Sequence, residues 1–500
     1  MLLAGKRASA AATSSRRQQA PTRLAAPRAS TPAPRGLTTT AAAPASAPTA
    51  PAAEPLVFSS TSTAAQASAA SAAAAAAAIT THNAGGEVAV WSSVRPLCRL
   101  PASLDDPEAL RAAARQLPGY EGWRGPQAEV LTASDGLPVD FASAERCLLA
   151  LLQTPALDAR LARFDATAGD AAAELRRAVE AATARAYGPQ GDDGSPQAAA
   201  CHTFLQRLLY RINRLNHFWY DDLSRYENER SPYCAALQDA AEGPWQRWEA
   251  AREGGVSGEA FKSMGVEELS EAVRSRAAVD VDPPASEVTL FLRDRLSLEG
   301  YRHLLAVGSL DGLVEASRQS RVCAGAPNPV SVMVFRVLME EYGSGKLARK
   351  HSTFYASMMG QLDLDTRLEA YFDLLPWQWL AGANHNFLLT ERRRHYLRYL
   401  GGLTFFEVNG PSVYRTYCAA ARRLGLPPSA WGYWELHVRE DERHGRQMVE
   451  EVAVPLMERY GPSAAWEVLW GYDQEVAMGR RAGEALVADI LAAEAGAGAQ

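Results

Sequence analysis

The segment Trp434-Glu-Leu-His437-Val-Arg-Glu-Asp441-Glu-Arg-His444 places two histidines and an aspartate at i, i+4 and i+7. At about 100° of rotation per residue, the three side chains leave one helix within an arc of roughly 60°. Extended both ways, the stripe reads Trp434, His437, Asp441, His444, Met448 and Val452, while Arg439, Glu440, Glu442 and Arg443 lie beside or opposite it. A carboxylate and two imidazoles are thus set into a core-facing stripe, where burial is costly unless something compensates the polar groups. A single histidine on such a face is more often a hydrogen-bonded core residue. The trio is harder to explain that way, and a bound metal ion is the simplest compensation.

Other stretches of the C-terminal half repeat the anomaly. The stripe Tyr396, Leu400, Leu403 ends on Glu407, and Val334, Val337 and Leu338 share a face with Glu341. His351 heads the stripe Tyr355, Met358, Met359, Leu362, and the break Gly343-Ser-Gly345 separates it from Glu341. Together these carboxylates and imidazoles suit two first-row metal ions held inside a helical bundle, with iron the expected metal. Glu340 is an adjacent rival to Glu341, and helix geometry across a Gly-Ser-Gly break does not choose between them. The pair His217 and Asp221, at i and i+4 of the aromatic-rich stretch Phe204–Asp222, reads instead as a structural hydrogen bond.

Composition sets the context. Residues 1–53 hold six Arg, one Lys and no acidic residue among abundant Ala, Ser, Thr and Pro, which is the composition of an organelle transit peptide. A low-complexity linker is expected over 54–84. Import into the chloroplast fits best, with the mitochondrion second. Removing the seven basic residues of the leader from 51 leaves 44 against 57 acidic, a net charge of −13. Such a body offers no electrostatic footprint for nucleic acid or anionic lipid, and no stretch is long and apolar enough for a membrane span. The six cysteines are scattered without a C-x-x-C pair, a pattern of free thiols rather than of disulfides or a zinc knuckle.

Strand signals are nearly absent, and i, i+3, i+4 spacing recurs between Gly/Pro breaks, so the expected class is all-α. The break at Val279-Asp-Val-Asp-Pro283-Pro284 suggests an N-terminal helical domain over 85–280 and a second over 285–495. The aromatic-rich stretch Phe204–Asp222 carries enough apolar surface to suggest a homodimer through the first domain.

The second domain resembles the heme-oxygenase-like diiron oxidases, iron-containing redox enzymes that keep the heme oxygenase helical bundle but bind two irons. The residues that carry the resemblance are Glu341-Tyr-Gly-x-Gly with His351, then Glu407, then His437-x-x-x-Asp441-x-x-His444, and the pattern is similar to N-oxygenating domains within that family. What the resemblance implies is a metal-ligand set of Glu341, His351, Glu407, His437, Asp441 and His444, with Glu315 as a further carboxylate in a catalytic role. It also implies two Fe2+ ions, O2 as cosubstrate, a small-molecule substrate and a reductase or ferredoxin-like electron donor. The Tyr-Gly-x-Gly context favours Glu341 over Glu340. No cupin-type domain is expected after residue 500, so only the oxygenation chemistry carries over. Two alternatives remain: a heme-binding, heme-oxygenase-like protein with one axial histidine, and a non-catalytic helical binding protein. Phe354, Tyr355, Phe405, Phe406 and Trp434 are candidates to wall the pocket.

Overall fold

The structure, a computed structural model, describes residues 106–497 apart from 127–129, 190, 192–193, 217–225, 253 and 326. The expected transit peptide, the linker, His217 and Asp221 lie outside the described residues. The first helices are α1 (Pro107–Ala114), α2 (Phe141–Leu152), α3 (Leu157–Ala162), α4 (Ala166–Ala186), α5 (Pro196–Asn213), α6 (Pro232–Ala251) and α7 (Val266–Asp280). A hairpin of two three-residue strands, β1 (Val130–Thr132) and β2 (Pro138–Asp140), precedes α2, with Val130 opposite Asp140. These are the described strands, and the chain is otherwise all-α as its periodicity predicts.

Small residues set the packing of this part. Ala168, Ala172, Ala178, Ala182 and Ala186 form the buried face of α4, which lets α2, α5 and α6 approach its backbone. Helix α5 is buried all round: Phe204, Leu205, Leu208, Leu209, Tyr210 and Ile212 are each covered by the chain itself. The apolar surface behind the homodimer expectation is therefore consumed within one chain over residues 204–212.

After the Pro283-Pro284 break, the Ser286 hydroxyl accepts from the Thr289 amide at 3.1 Å and caps the next helix. The helices that follow are α8 (Glu287–Asp294), α9 (Leu298–Gly312), α10 (Pro329–Glu341), α11 (His351–Gln361), α12 (Trp377–Glu391), α13 (Tyr396–Arg423), α14 (Gly432–Gln447), α15 (Val454–Tyr460) and α16 (Pro462–Ala497). A π-helical turn, Met448–Ala453, joins α14 to α15.

The long helix α13 organises this bundle, packing along both α14 and α16. Its backbone touches that of α16, since a Cβ at Gly401 would lie 1.9 Å from the Val468 carbonyl and one at Gly471 1.9 Å from the Arg398 carbonyl. On its other side, a Cβ at Gly445 of α14 would come 2.8 Å from the Glu407 carbonyl. On α14, Trp434 belongs to one apolar cluster, with Tyr301, Tyr355 and Phe387, and just beyond its end Met448 belongs to another, with Val337, Leu400 and Val468. His437, Asp441 and His444 occupy the turns between the two.

Candidate metal centre

Five chain segments deliver the polar side chains between those clusters. Glu315 follows the end of α9, Glu341 closes α10, His351 opens α11, Glu407 lies midway along α13, and α14 presents its trio. The Gly-Ser-Gly break makes the second and third meet. Gly343, Ser344 and Gly345 all adopt positive φ, and a Cβ at Gly343 would sit 2.4 Å from the Arg349 carbonyl carbon. Only glycine tolerates that combination of φ and crowding at position 343, and the tight reversal brings His351 back onto Glu341.

The side chains form two groups. In one, Glu315, Glu341, His351 and His437 each offer a ligand atom within 4.8 Å of the others; in the other, Glu341, Asp441 and His444 do the same. Glu341 belongs to both. Its Oε2 lies 2.7 Å from His351 Nδ1 and 3.8 Å from His437 Nε2, and the two ring nitrogens face each other at 3.0 Å. His437 Nε2 is 3.1 Å from Glu315 Oε1. In the second group, His444 Nδ1 lies 3.2 Å from Glu407 Oε2 and 3.6 Å from Asp441 Oδ1. Every candidate ligand named from the sequence is thus brought to this one place.

The arrangement is unfinished as a hydrogen-bond network. Glu315 Oε2, Glu341 Oε2, Asp441 Oδ1 and His444 Nδ1 are buried with no hydrogen bond, although nitrogens stand close to them. Four carboxylates (Glu315, Glu341, Glu407, Asp441) face three imidazoles, and buried charge of one sign needs a counterion. The nearby Lys350 does not supply it at a carboxylate, because its Nζ donates to the Glu315 main-chain carbonyl at 3.1 Å. Titration reflects the same deficit. Burial, with the charges of Asp441 and Glu341, raises the Glu407 pKa to about 7. Burial likewise raises Asp441. At His437 burial acts the other way but is overwhelmed by Glu315 and Asp441, which hold the imidazole well above its usual range. Protons take the place of cations when nothing else does. Two divalent ions, with a combined charge of +4, would match four carboxylates and leave the imidazoles neutral.

The histidines are oriented from behind. The backbone carbonyl of Tyr433 lies 2.9 Å from His437 Nδ1, so that nitrogen carries the proton and Nε2 turns its lone pair to the centre. Glu340 lies 2.6 Å from His444 Nε2, the nitrogen facing away from the ligands, and is itself held by Arg443 at 2.6 Å and Arg336 at 3.2 Å. The rivalry between adjacent glutamates is resolved by placement: Glu341 faces the centre and Glu340 backs His444, an outer carboxylate of the kind that fixes a ligating imidazole. A third acidic group, Glu340, Glu440 and His444, already contains the Arg443 guanidinium as its cation.

Aromatic rings close the site on one side. Tyr433 and Tyr414 lie 4.2 and 5.0 Å from the His437 ring, Tyr414 stacks on Trp434, and the Tyr433 hydroxyl donates to Glu315. Tyr355 fits against Gly308 and Gly312, where a Cβ would clash with its ring. Of the aromatics named from the sequence, Tyr355 and Trp434 belong to this wall. Phe405 packs on Tyr472 and Phe406, and Phe406 is 47 % exposed. The sequence reading missed Tyr433, Tyr414 and the role of Glu340; Tyr433, four residues before His437, had a helical-spacing signal.

Residues 302–480 match the family of iron-containing redox enzymes. All seven residues of the candidate centre lie inside that stretch, and the resemblance to the iron-containing redox enzymes is borne out. The chain is also 27 % identical over 164 residues to a nitrosourea synthase from Streptomyces achromogenes subsp. streptozoticus. The aligned stretch is 33 % of this chain and spans 35 % of that relative's length. No helix among the described residues is long and apolar enough to cross a membrane.

Proposed function

We propose that this domain is a non-heme diiron oxidase or oxygenase, which uses O2 to oxidise a small organic substrate by N-oxygenation or by C–H or C–C oxidation. The observation that carries the reading is that four buried carboxylates meet three imidazoles and, among the described residues, no Arg or Lys side chain, with orphaned atoms left among them. Glu315, His351 and His437 would hold one ion, Glu407, Asp441 and His444 the other, and Glu341 is placed to serve both. Bound Fe2+ ions supply open positions for O2 and the electrons that reduce it. The chain's own residues do the rest. Tyr433 holds His437 in the tautomer that frees Nε2, and its hydroxyl keeps a proton at Glu315. Tyr414, Tyr355 and Trp434 exclude water from that side of the centre. The nitrosourea synthase relative supports a nitrogen-bearing substrate such as an amine or amino acid; a fatty acyl chain is the second candidate. Further turnover would draw electrons from a reductase or ferredoxin-like donor, and the leader composition supports a chloroplast site of action.

Anaerobic reconstitution should load close to two Fe2+ per chain, and His437→Ala or His444→Ala should lower this sharply. Retention of full iron by both variants would remove these residues from the site. A Soret band in the purified protein would move the reading to heme binding, and failure to bind iron at all would move it to a binding protein. With an amine and fatty-acid panel, wild type should consume O2 and form product while Glu407→Ala does neither.

A further inference from the structure

A second polar feature lies away from the metal centre. The segment after α1, the start of α9 and the end of α16 enclose a cavity of about 240 Å³. Leu117, Ile490 and Ala493 line it together with Tyr120, His303, Glu299 and Glu494, Glu494 half-buried and Glu299 exposed. His303 is only 3 % exposed, and neither ring nitrogen has a hydrogen-bond partner among the described residues. A buried polar group left wholly unpaired is rare in a folded protein and asks for a missing partner. The Tyr120 ring stacks on the imidazole at 5.4 Å, which fixes the plane of His303.

The chemistry of the walls selects the partner. Burial drives the His303 pKa down to about 4, so at neutral pH the ring is uncharged and offers a lone pair as well as an N–H. The Glu494 carboxylate is held in place by the Ser297 hydroxyl at 2.5 Å, and Glu299 adds a second acidic group to the lining. No basic side chain lines the cavity. An anion would be repelled by both carboxylates, and a neutral ligand would leave Glu494 unused. A cation gains from the carboxylates and from the His303 lone pair. The apolar lining residues Leu117, Ile490 and Ala493 suit a short hydrocarbon arm.

We propose that this cavity is a binding site for a small protonated primary amine with a short apolar arm, distinct from the metal centre. The separation follows from the helix itself. From His303 to Gly312, α9 runs for roughly 14 Å, and Glu315 lies beyond its end. An amine there would tie the segment after α1 to the redox domain through α9, the helix that leads into the centre.

Calorimetric titration of the full chain with n-hexylammonium chloride tests this, with sodium hexanoate and 1-hexanol as comparison probes. The expected result is saturable binding of one equivalent of hexylammonium, weak or no binding of the other two, and an affinity lowered about tenfold or more by Glu494→Gln and by His303→Phe, as loss of a charge-assisted contact requires. Unchanged iron content would show that each variant is folded, and Glu494→Gln, at a half-buried position, remains informative if His303→Phe fails to fold. The proposal is overturned by absent or unsaturable hexylammonium binding, by equal binding of hexanoate or hexanol, or by an affinity that Glu494→Gln leaves unchanged. It is equally overturned if His437→Ala abolishes amine binding while Glu494→Gln does not, which would place the amine at the metal centre.

Discussion

Two clusters of buried charge in the protein differ in one respect. Where α5 meets the chain around residue 370, Arg207, Arg211 and Arg214 face Glu145, Asp373 and Glu369: Arg207 bonds Asp373 at 3.0 Å, Arg211 bonds Glu145 at 2.8 Å, and Arg214 bonds Glu369 at 3.0 Å. Three guanidinium groups meet three carboxylates, and Tyr210 adds a hydrogen bond to Glu369. At the metal centre four carboxylates meet three imidazoles, and buried oxygens are left without donors. The first cluster is complete as protein and can serve structure alone. The second leaves buried polar atoms without partners, and that is what marks it as a candidate metal site.

This contrast can be broken most forcefully at Arg207. Replacing it by Met strips Asp373 of its guanidinium in a buried setting, and should cost roughly 3–5 kcal/mol of unfolding free energy, as removal of one partner of a buried pair does. In the metal-free protein, Glu407→Gln should cost little or even stabilise, because it relieves like-charge crowding. Urea denaturation of both variants decides; equal losses would mean that the two clusters are energetically the same kind of object.

The pH dependence of stability should separate paired from unpaired buried carboxylates. Burial pushes the Glu145 pKa up, but Arg207 and Arg211 outweigh it and hold the group at about 2, below its ordinary 4.5. A depressed folded pKa means stabilisation that is fully present above about pH 4.5 and is lost as pH falls toward 2, here roughly 3 kcal/mol. Glu475 has the opposite sign: burial raises it to about 8, so wild type should lose stability relative to Glu475→Gln as pH rises from about 4.5 to 8. Parallel curves for wild type and Glu475→Gln over that range would refute the second half, and an acid limb unaffected by Glu145→Gln the first.

Two smaller perturbations sharpen the metal side. Alanine at Gly445 places a Cβ 2.8 Å from the Glu407 carbonyl and 3.0 Å from the Val408 Cα, both backbone, so α13 and α14 must part. A cost of about 2 kcal/mol is expected, with iron affinity falling as Glu407 and His444 separate; thermal melting with and without iron measures both. Glu340→Gln keeps an acceptor behind His444 but removes its charge. Iron affinity should drop about tenfold, the low end for an outer carboxylate, with stoichiometry unchanged. A fall to one iron per chain would instead make Glu340 a ligand.

Much of the centre was legible because helical spacing is a local property. His437, Asp441 and His444 share a face whatever the helix packs against, and Glu341 and Glu407 each stand at the end of an apolar stripe. Nearness in sequence is a weaker guide: Phe405 and Phe406 stand beside Glu407 in the chain, yet Phe405 packs on Tyr472 and Phe406 is exposed, because successive helical residues leave the axis about 100° apart. On α5, apolar residues around the whole helix are buried within the chain over residues 204–212.

By itself the sequence determined that the chain is helical, that one helix carries a His/Asp/His face, and that several carboxylates are set into apolar stripes, since each depends on rotation per residue along a continuous helix. Tertiary structure alone decided that these faces converge, that Glu341 rather than Glu340 turns inward, and that the carboxylates outnumber the cations around them. Such facts concern pairs of residues distant in the chain, from Glu315 to His444. Whether a buried charge is paired is set by what the fold brings beside it, and no local period encodes that.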